Sequence, residues 1–290
     1  MHRLIYIVDA FTETVFGGNP AAVVTLSHWP STSLLQSMAT EHNLSETAFV
    51  GPIDDTFLAE VGPAPANVPD GALGIRWFTP NDEMDLCGHA TLAAAHVMLR
   101  NERRIGPDLS FLSRSGLLPL RQQDGGAVRL DFPARPPVEI AADDPRHGPL
   151  RDQLAAALGA LPDQIVEARD IYAVYADAAT VRAIDPDQLA LARIDAFAVG
   201  VTAPGDEEGV DFVSRFFAPR KGVPEDPVTG SAHCSLAPYW GQRLGRTQIT
   251  GRQVSRRGGT VVCDLAGDRV GLTGHCVSYL SGQLRATLPE

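Results

Sequence analysis

The chain has 290 residues, 44% of them hydrophobic and 20% charged, and a formal net charge of -11. That length exceeds the usual single core and suits two domains, while the acidic balance speaks against nucleic acid or an anionic membrane, both of which need a basic patch. No apolar run approaches membrane-spanning length, and Met1-His2-Arg3-Leu4-Ile5-Tyr6 enters strand-like sequence without a signal-peptide core, so a cytoplasmic protein acting on small molecules is expected.

In chain order, Leu4 to Val8 and Ala21 to Leu26 are β-branched-rich strands flanking the loop Phe16-Gly17-Gly18-Asn19-Pro20. Ser31 to His42 carries Leu34, Leu35 and Met38 at helical spacing, with Ser/Thr ready as an N-cap. Glu46 falls at the junction into the strand Thr47 to Val50, and Gly74 to Phe78 is a further strand. Cys87-Gly88-His89 opens a helix over Ala90 to Asn101. Leu109 to Gln122 and Ala127 to Phe132 read as strands separated by the turn Asp124-Gly125-Gly126. The Pro-rich stretch Phe132 to Pro137 marks a crossover. Beyond it, Pro149 to Leu158 and Asp187 to Arg193 read as helices, Asp170 to Tyr175 and Ala196 to Thr202 as extended chain. A second helix starts near Ser231 and is checked by Pro238, and strands over Val254 to Leu265, Val270 to Thr273 and Val277 to Leu284 follow.

The chain repeats itself. Arg76-Trp77-Phe78-Thr79-Pro80 followed by Cys87-Gly88-His89-Ala90-Thr91 is answered by Arg215-Phe216-Phe217-Ala218-Pro219 followed by Thr229-Gly230-Ser231-Ala232-His233. Ser113-Arg114-Ser115-Gly116 is answered by Ser255-Arg256-Arg257-Gly258, and both Gly88 to Gly230 and Gly116 to Gly258 span 142 positions. Constant register argues for duplication, hence two similar halves with a cleft between them. The expected division is residues 1–134 and 135–290, with the terminal strand free to return to the first half.

Cofactor chemistry finds no seat. Lys221 is the only lysine, in a Pro/Gly-rich loop, and neither a phosphate-binding Gly-x-x-x-x-Gly-Lys nor a dinucleotide Gly-x-Gly-x-x-Gly is present. The four cysteines, Cys87, Cys234, Cys263 and Cys276, show no CxxC. Cys87 and His89 are zinc-ligand types without advertised partners, so no metal is expected.

Both repeated motifs place Gly just before a helix start, where free N–H groups and the helix dipole attract a carboxylate. The halves then disagree chemically: Cys87 is matched by Thr229 and His89 by Ser231, and the segment Glu225-Asp226-Pro227-Val228 holds a three-residue length change. Glu46 has only the apolar Ile194 opposite it if Ala196-Phe197-Ala198-Val199 mirrors its strand. One strong base facing polar donors suits moving a proton within a substrate.

Asp9-Ala10-Phe11 with Phe16-Gly17-Gly18-Asn19-Pro20, Leu44-Ser45-Glu46-Thr47-Ala48-Phe49, Arg76 to Pro80, Asp85-Leu86-Cys87-Gly88-His89-Ala90-Thr91 and Glu225-Asp226-Pro227-Val228-Thr229-Gly230-Ser231-Ala232 together resemble the PhzF-like phenazine-biosynthesis isomerases and epimerases. The resemblance implies an α+β fold of the diaminopimelate epimerase type, with two similar domains, each a mixed β-sheet rolled around a central helix, and a homodimer. It implies a cofactor-independent isomerase acting on a small carboxylate-bearing metabolite, with Glu46 as general base and acid. His89 and Asp226 would hold or protonate the substrate, Gly88, Gly230 and Ser231 would bind its carboxylate, and Asn19 would line the pocket. Diaminopimelate-type epimerases use two thiols; Thr229 stands where the second would be, and its hydroxyl is too weak an acid to replace one. Two alternatives stay open: an amino-acid racemase or epimerase using Cys87 with Glu46 or Asp226, and a binding module without turnover.

Overall fold

The computed structural model describes residues 3–101 and 106–284. The fold is α+β. It divides into two compact units, residues 1–131 with 273–290, and residues 132–272.

The first unit begins with β1 (Arg3–Ala10), β2 (Asn19–Thr25), α1 (Thr32–His42), β3 (Glu46–Gly51), α2 (Asp55–Val61), β4 (Leu73–Phe78) and β5 (Glu83–Met84). The central α3 (Gly88–His96) follows and relaxes into a π-turn over Val97–Asn101, after which come β6 (Asp108–Ser113), β7 (Gly116–Gln122) and β8 (Val128–Pro133). The second unit holds β9 (Val138–Glu139), α4 (His147–Leu158), β10 (Gln164–Glu167), β11 (Ile171–Val174), α5 (Ala178–Ala183), α6 (Gln188–Leu191), β12 (Val199–Pro204), β13 (Phe212–Ala218) and β14 (Val223–Asp226). Its central helix is α7 (Gly230–Leu244), followed by β15 (Gln248–Gln253), β16 (Gly259–Ala266) and β17 (Arg269–Gly274). The last strand, β18 (Cys276–Leu284), pairs antiparallel with β1, which is why the chain from 273 onward belongs to the first unit.

Each unit repeats one strand pattern. In the first, β2 and β3 are parallel and β3 and β4 antiparallel; in the second, β11 and β12 are parallel and β12 and β13 antiparallel. Buried Leu35, Phe49, Phe57 and Phe78 centre one core, and Leu154, Val181, Val201 and Phe217 centre the other. Each such side chain contributes roughly 1.5–3 kcal/mol by leaving water. The duplication extends to side chains. Arg76 grips Glu83 through two bonds of 2.8 Å and lies over Phe78, while Arg215 grips Glu225 at 2.7 and 3.0 Å and lies over Phe217. Ser113 accepts the N–H of Ser115 and Ser255 that of Gly258, each within the turn that its repeated glycine closes.

Those pairings correct three expectations. Thr47 stands opposite Phe78 and Val199 opposite Phe217, so the counterpart of Glu46 is Ala198, four residues beyond Ile194. The position is still apolar. Because Glu83 and Glu225 are already 142 apart, the length change lies before Glu225, where the second unit inserts a 3-10 turn at Pro219–Lys221 closed by Gly222 in the left-handed region. And α7 is not checked by Pro238. Proline lacks the N–H that would bond the carbonyl of Cys234, and the backbone N–H of Arg135 donates to that carbonyl instead at 2.9 Å, so the helix continues to Leu244.

One expected strand is a hairpin: Leu109 to Gln122 folds back at Arg114-Ser115, where Gly116 has φ 97°. The strand expected from Val254 starts only after Gly258, φ 65°, as β16, and its antiparallel partner β15 lies wholly before the expected run. Asp187 to Arg193 shortens to one turn, Gln188–Leu191, capped by Asp187. The small helices α2 and α5, capped by Asp54 and Asp177, escaped the periodicity because each is too short to show a face. Among the described residues no helix is long and apolar enough to cross a membrane.

Candidate active site

Five of the candidate residues meet at the start of α3. Asn19 opens β2 and is fully buried, delivered by a loop whose geometry is demanding. Gly18 has φ 60°, and a Cβ there would lie 2.1 Å from the Ala10 carbonyl oxygen; buried Asp9 closes the loop by accepting the Phe16 N–H at 2.8 Å. Glu46 is the first residue of β3, in parallel register with Ala21. Cys87 is the N-cap residue of α3, and Gly88 and His89 are its first two helical residues.

His89 joins the cluster together. Its Nδ1 lies 3.3 Å from Asn19 Nδ2 and 3.5 Å from Cys87 Sγ, and its Nε2 lies 3.1 Å from Glu46 Oε2. The imidazole is 5% exposed. Although Nε2 and Oε2 are close, the ring N–H does not point along the line between them, and neither buried atom has another aligned partner. Buried polar atoms left in this state are costly, and an incoming ligand can satisfy both. Burial opposes the imidazolium, yet the adjacent Cys87 and Glu46 outweigh it and hold His89 well above the ordinary histidine range. Burial, reinforced by the Glu46 charge, pushes the Cys87 thiol up, while His89 beside it pulls the other way.

Ligand atoms of Glu46, Cys87 and His89 lie within 4.8 Å of one another, which raises the question of a metal. Cys87 faces Nδ1 and Glu46 faces Nε2, on different edges of one ring. A chelate needs the ring to offer one nitrogen to an ion shared with both partners. This layout instead spreads the two partners over the two ring nitrogens of His89.

The second unit gathers Asp226, Thr229, Gly230 and Ser231 at the start of α7. Thr229 Oγ1 donates to the Asp226 carboxylate, so the N-cap hydroxyl is turned away from the helix and makes no cap bond. Cys87 likewise makes none to α3. Both central helices therefore begin without a side-chain cap, leaving first-turn N–H groups for a ligand. In α3 Thr91 donates to the carbonyl of Cys87 at 2.5 Å, and in α7 His233 Nδ1 meets the carbonyl of Thr229 at 2.9 Å, the same tie four residues back. His233 is thus a structural residue.

Two neighbours were not singled out in the sequence. Fully buried Gln253 accepts the Thr229 N–H at 2.9 Å and donates to the Asp226 carbonyl at 2.6 Å, fixing that loop. Arg169 reaches Ser231 Oγ at 3.4 Å. Gln253 stands two residues before the repeated Ser255, the one signal that could have found it; nothing in the local sequence marks Arg169.

The family described as phenazine biosynthesis-like protein (PhzC-PhzF) matches residues 8–282. An uncharacterized isomerase of Pseudomonas aeruginosa is 47% identical over 280 residues, 96% of this chain and 97% of its own. A PhzF-family phenazine biosynthesis protein of Enterococcus faecalis superposes with a TM-score of 0.85 at 39% identity, covering 99% of this chain and all of that one. A hydroxyproline epimerase of Agrobacterium vitis, 12% identical with a TM-score of 0.56, shares the fold. With a family match over nearly its whole length and relatives well above the level of chance likeness, the chain belongs to the PhzC-PhzF, phenazine biosynthesis-like family.

Proposed function

We propose that the protein is a cofactor-independent isomerase that moves a proton on a small carboxylate-bearing metabolite, with Glu46 as general base. The observation that carries this reading is the buried pair Glu46 Oε2 and His89 Nε2, close together and unsatisfied. Curated relatives named as isomerases support the reaction class.

Glu46 takes a proton from a carbon adjacent to the substrate's carboxyl or an unsaturated group, and the electron pair left behind delocalises as an enolate. Its charge meets the His89 imidazolium and the uncapped N–H groups of Gly88 and His89, each such donor worth about 3 kcal/mol in the transition state. The proton on Glu46 then returns to a different carbon, so nothing is consumed. Asn19 can present either its carbonyl or its amide to His89 Nδ1 and so serves both protonation states of the ring. In the second unit Asp226 is assigned a substrate-holding or protonating role, and Gly230 and Ser231 a carboxylate-binding one, supported by the uncapped start of α7.

A second reading, a racemase with Cys87 as the other acid, is favoured by the Sγ to Nδ1 approach of 3.5 Å. A thiol whose pKa burial raises suits an acid better than a base, which keeps this reading subordinate. A cytoplasmic homodimer completes the proposal; sedimentation velocity checks the dimer.

Incubation of the protein in D2O with a panel of small unsaturated carboxylates and amino acids, followed by NMR, tests the reading. Deuterium appearing at a new carbon supports isomerisation, and deuterium at an inverted centre supports epimerisation. Glu46→Gln exchanging as fast as the wild type would falsify the assigned base.

A further inference from the structure

The second unit has a hollow of its own, lined by Glu167, Arg169, Asp195, Phe197, Arg220 and Lys221. Two cations address one ring there: the Arg169 guanidinium carbon lies 4.3 Å from the Phe197 centroid and Lys221 Nζ lies 5.0 Å from it. Phe197 keeps 37% of its surface exposed.

Strand register shows where this hollow came from. Ala22 pairs with Thr47 and Ile171 with Val199, so Arg169 occupies the place of Pro20, next to the counterpart of Asn19, while Phe197 precedes Ala198 in the place of Ser45. Ser231, which Arg169 touches, stands for His89. The three chain segments that assemble the proton-handling cluster in the first unit thus assemble a cationic hollow in the second. Arg220 and Lys221 come from the inserted turn; the first unit has Asn81 and Asp82 between Pro80 and Glu83.

The charge balance favours an anion. Arg169 is paired with buried Asp170 through Nε and Nη2 at 3.2 Å each, leaving Nη1 without an acceptor among the described residues. Among the described residues Arg220 spends only Nη1, on Asp195 and on the carbonyls of Ile194 and Ala196. Of the two acidic liners, Glu167 is taken by Arg146 at 3.0 Å, and Asp195 is fully exposed and screened. Lys221 has no acidic partner among the described residues. In a chain of net charge -11, an unneutralised lysine over an aromatic wall is a local inversion of sign that draws in anions.

We propose that this hollow binds a small organic carboxylate, held by Lys221, Arg220 and the free edge of Arg169, with its apolar body against Phe197. The site lies wholly in residues 167–221 and does not rest on the Glu46 reading.

Benzoate is the probe, titrated into the full-length protein by calorimetry and by saturation-transfer NMR, with neutral benzamide as its isostere. Saturable binding of benzoate in the millimolar range or tighter is expected, with benzamide weaker. Lys221→Met, at an exposed position without an ion pair, raises the dissociation constant on the order of fivefold, the worth of one exposed cation. Phe197→Ala weakens binding as well, and Glu46→Gln leaves it unchanged, which separates this site from the proposed catalytic one. No saturable binding up to about 10 mM, equal binding of benzamide, or a Lys221→Met protein that binds as the wild type does would each overturn the proposal. Inorganic phosphate competing as well as benzoate, with no effect of Phe197→Ala, would overturn the organic carboxylate assignment.

Discussion

The starts of α3 and α7 are built from one plan and filled differently. Both follow an Arg–Glu clamp, both begin at glycine, both lack a side-chain cap, and both tie the N-cap carbonyl to a residue four positions on. At the start of α3 the added groups are Asn19, Glu46, Cys87 and His89, with Glu46 Oε2 and His89 Nε2 buried and without an aligned hydrogen-bond partner. At the start of α7 the corresponding places hold Ala168, Ala198, Thr229 and Ser231, with Arg169 beside them, and the acid, Asp226, is occupied by Thr229. A frame retained twice by packing leaves the side chains at its open end free to diverge, so chemistry separates the halves where stability does not constrain them.

Substitutions can break that contrast. The largest effect is expected for Glu46→Gln, which keeps the shape and removes the base: turnover falls about 10³-fold, read by deuterium uptake once a substrate is found. Arg76→Met and Arg215→Met test the shared frame, because each takes the main cation from a partly buried glutamate; Arg215→Met should lose about 3–5 kcal/mol in urea unfolding, and Arg76→Met less, since Arg114 still reaches Glu83 at 3.2 Å. A neutral result at either position would show that the clamps are not equivalent. His89→Asn should lower turnover about 10²-fold and flatten the pH profile on its alkaline side, because the raised histidine loses its proton there.

The smallest effect concerns His233, the α7 residue that took up the structural tie. Burial lowers its pKa to about 4 from 6.5. The unfolded chain therefore binds this proton first as pH falls from 6.5 toward 4, and stability drops through that window, by about 2 kcal/mol at pH 5. Urea midpoints measured at pH 7.5 and pH 5 check it; His96, also held at about 4, acts in the same direction. Equal midpoints would show that burial does not depress His233 in this way.

Much of the site was legible because it is local. Cys87-Gly88-His89 is one turn of helix start, and Glu46 is named by the strand it opens. The counterpart of Glu46 was misplaced because spacing in the sequence cannot count residues across a loop that changed length, whereas strand pairing can. The hairpin at Gly116 was merged into a single strand because apolar residues flank a turn of only Arg114 and Ser115, where the glycine conformation reverses the chain, and β15, the partner of β16, was missed. Pro238 misled for a physical reason of another kind: its penalty depends on whether something else bonds the freed carbonyl, and that partner, Arg135, lies about a hundred residues away along the chain.

The sequence alone determined the duplication, the two glycine-led helices, the family and the residue types available for proton transfer, since these follow from register, periodicity and motif. Tertiary structure decided which of those groups meet. It set His89 between Cys87 and Glu46 on separate ring nitrogens, turned Thr229 onto Asp226, and collected Arg169, Phe197 and Lys221 around one hollow. Side-chain chemistry is written residue by residue, but distance and burial arise only when strands far apart in the chain pair in register.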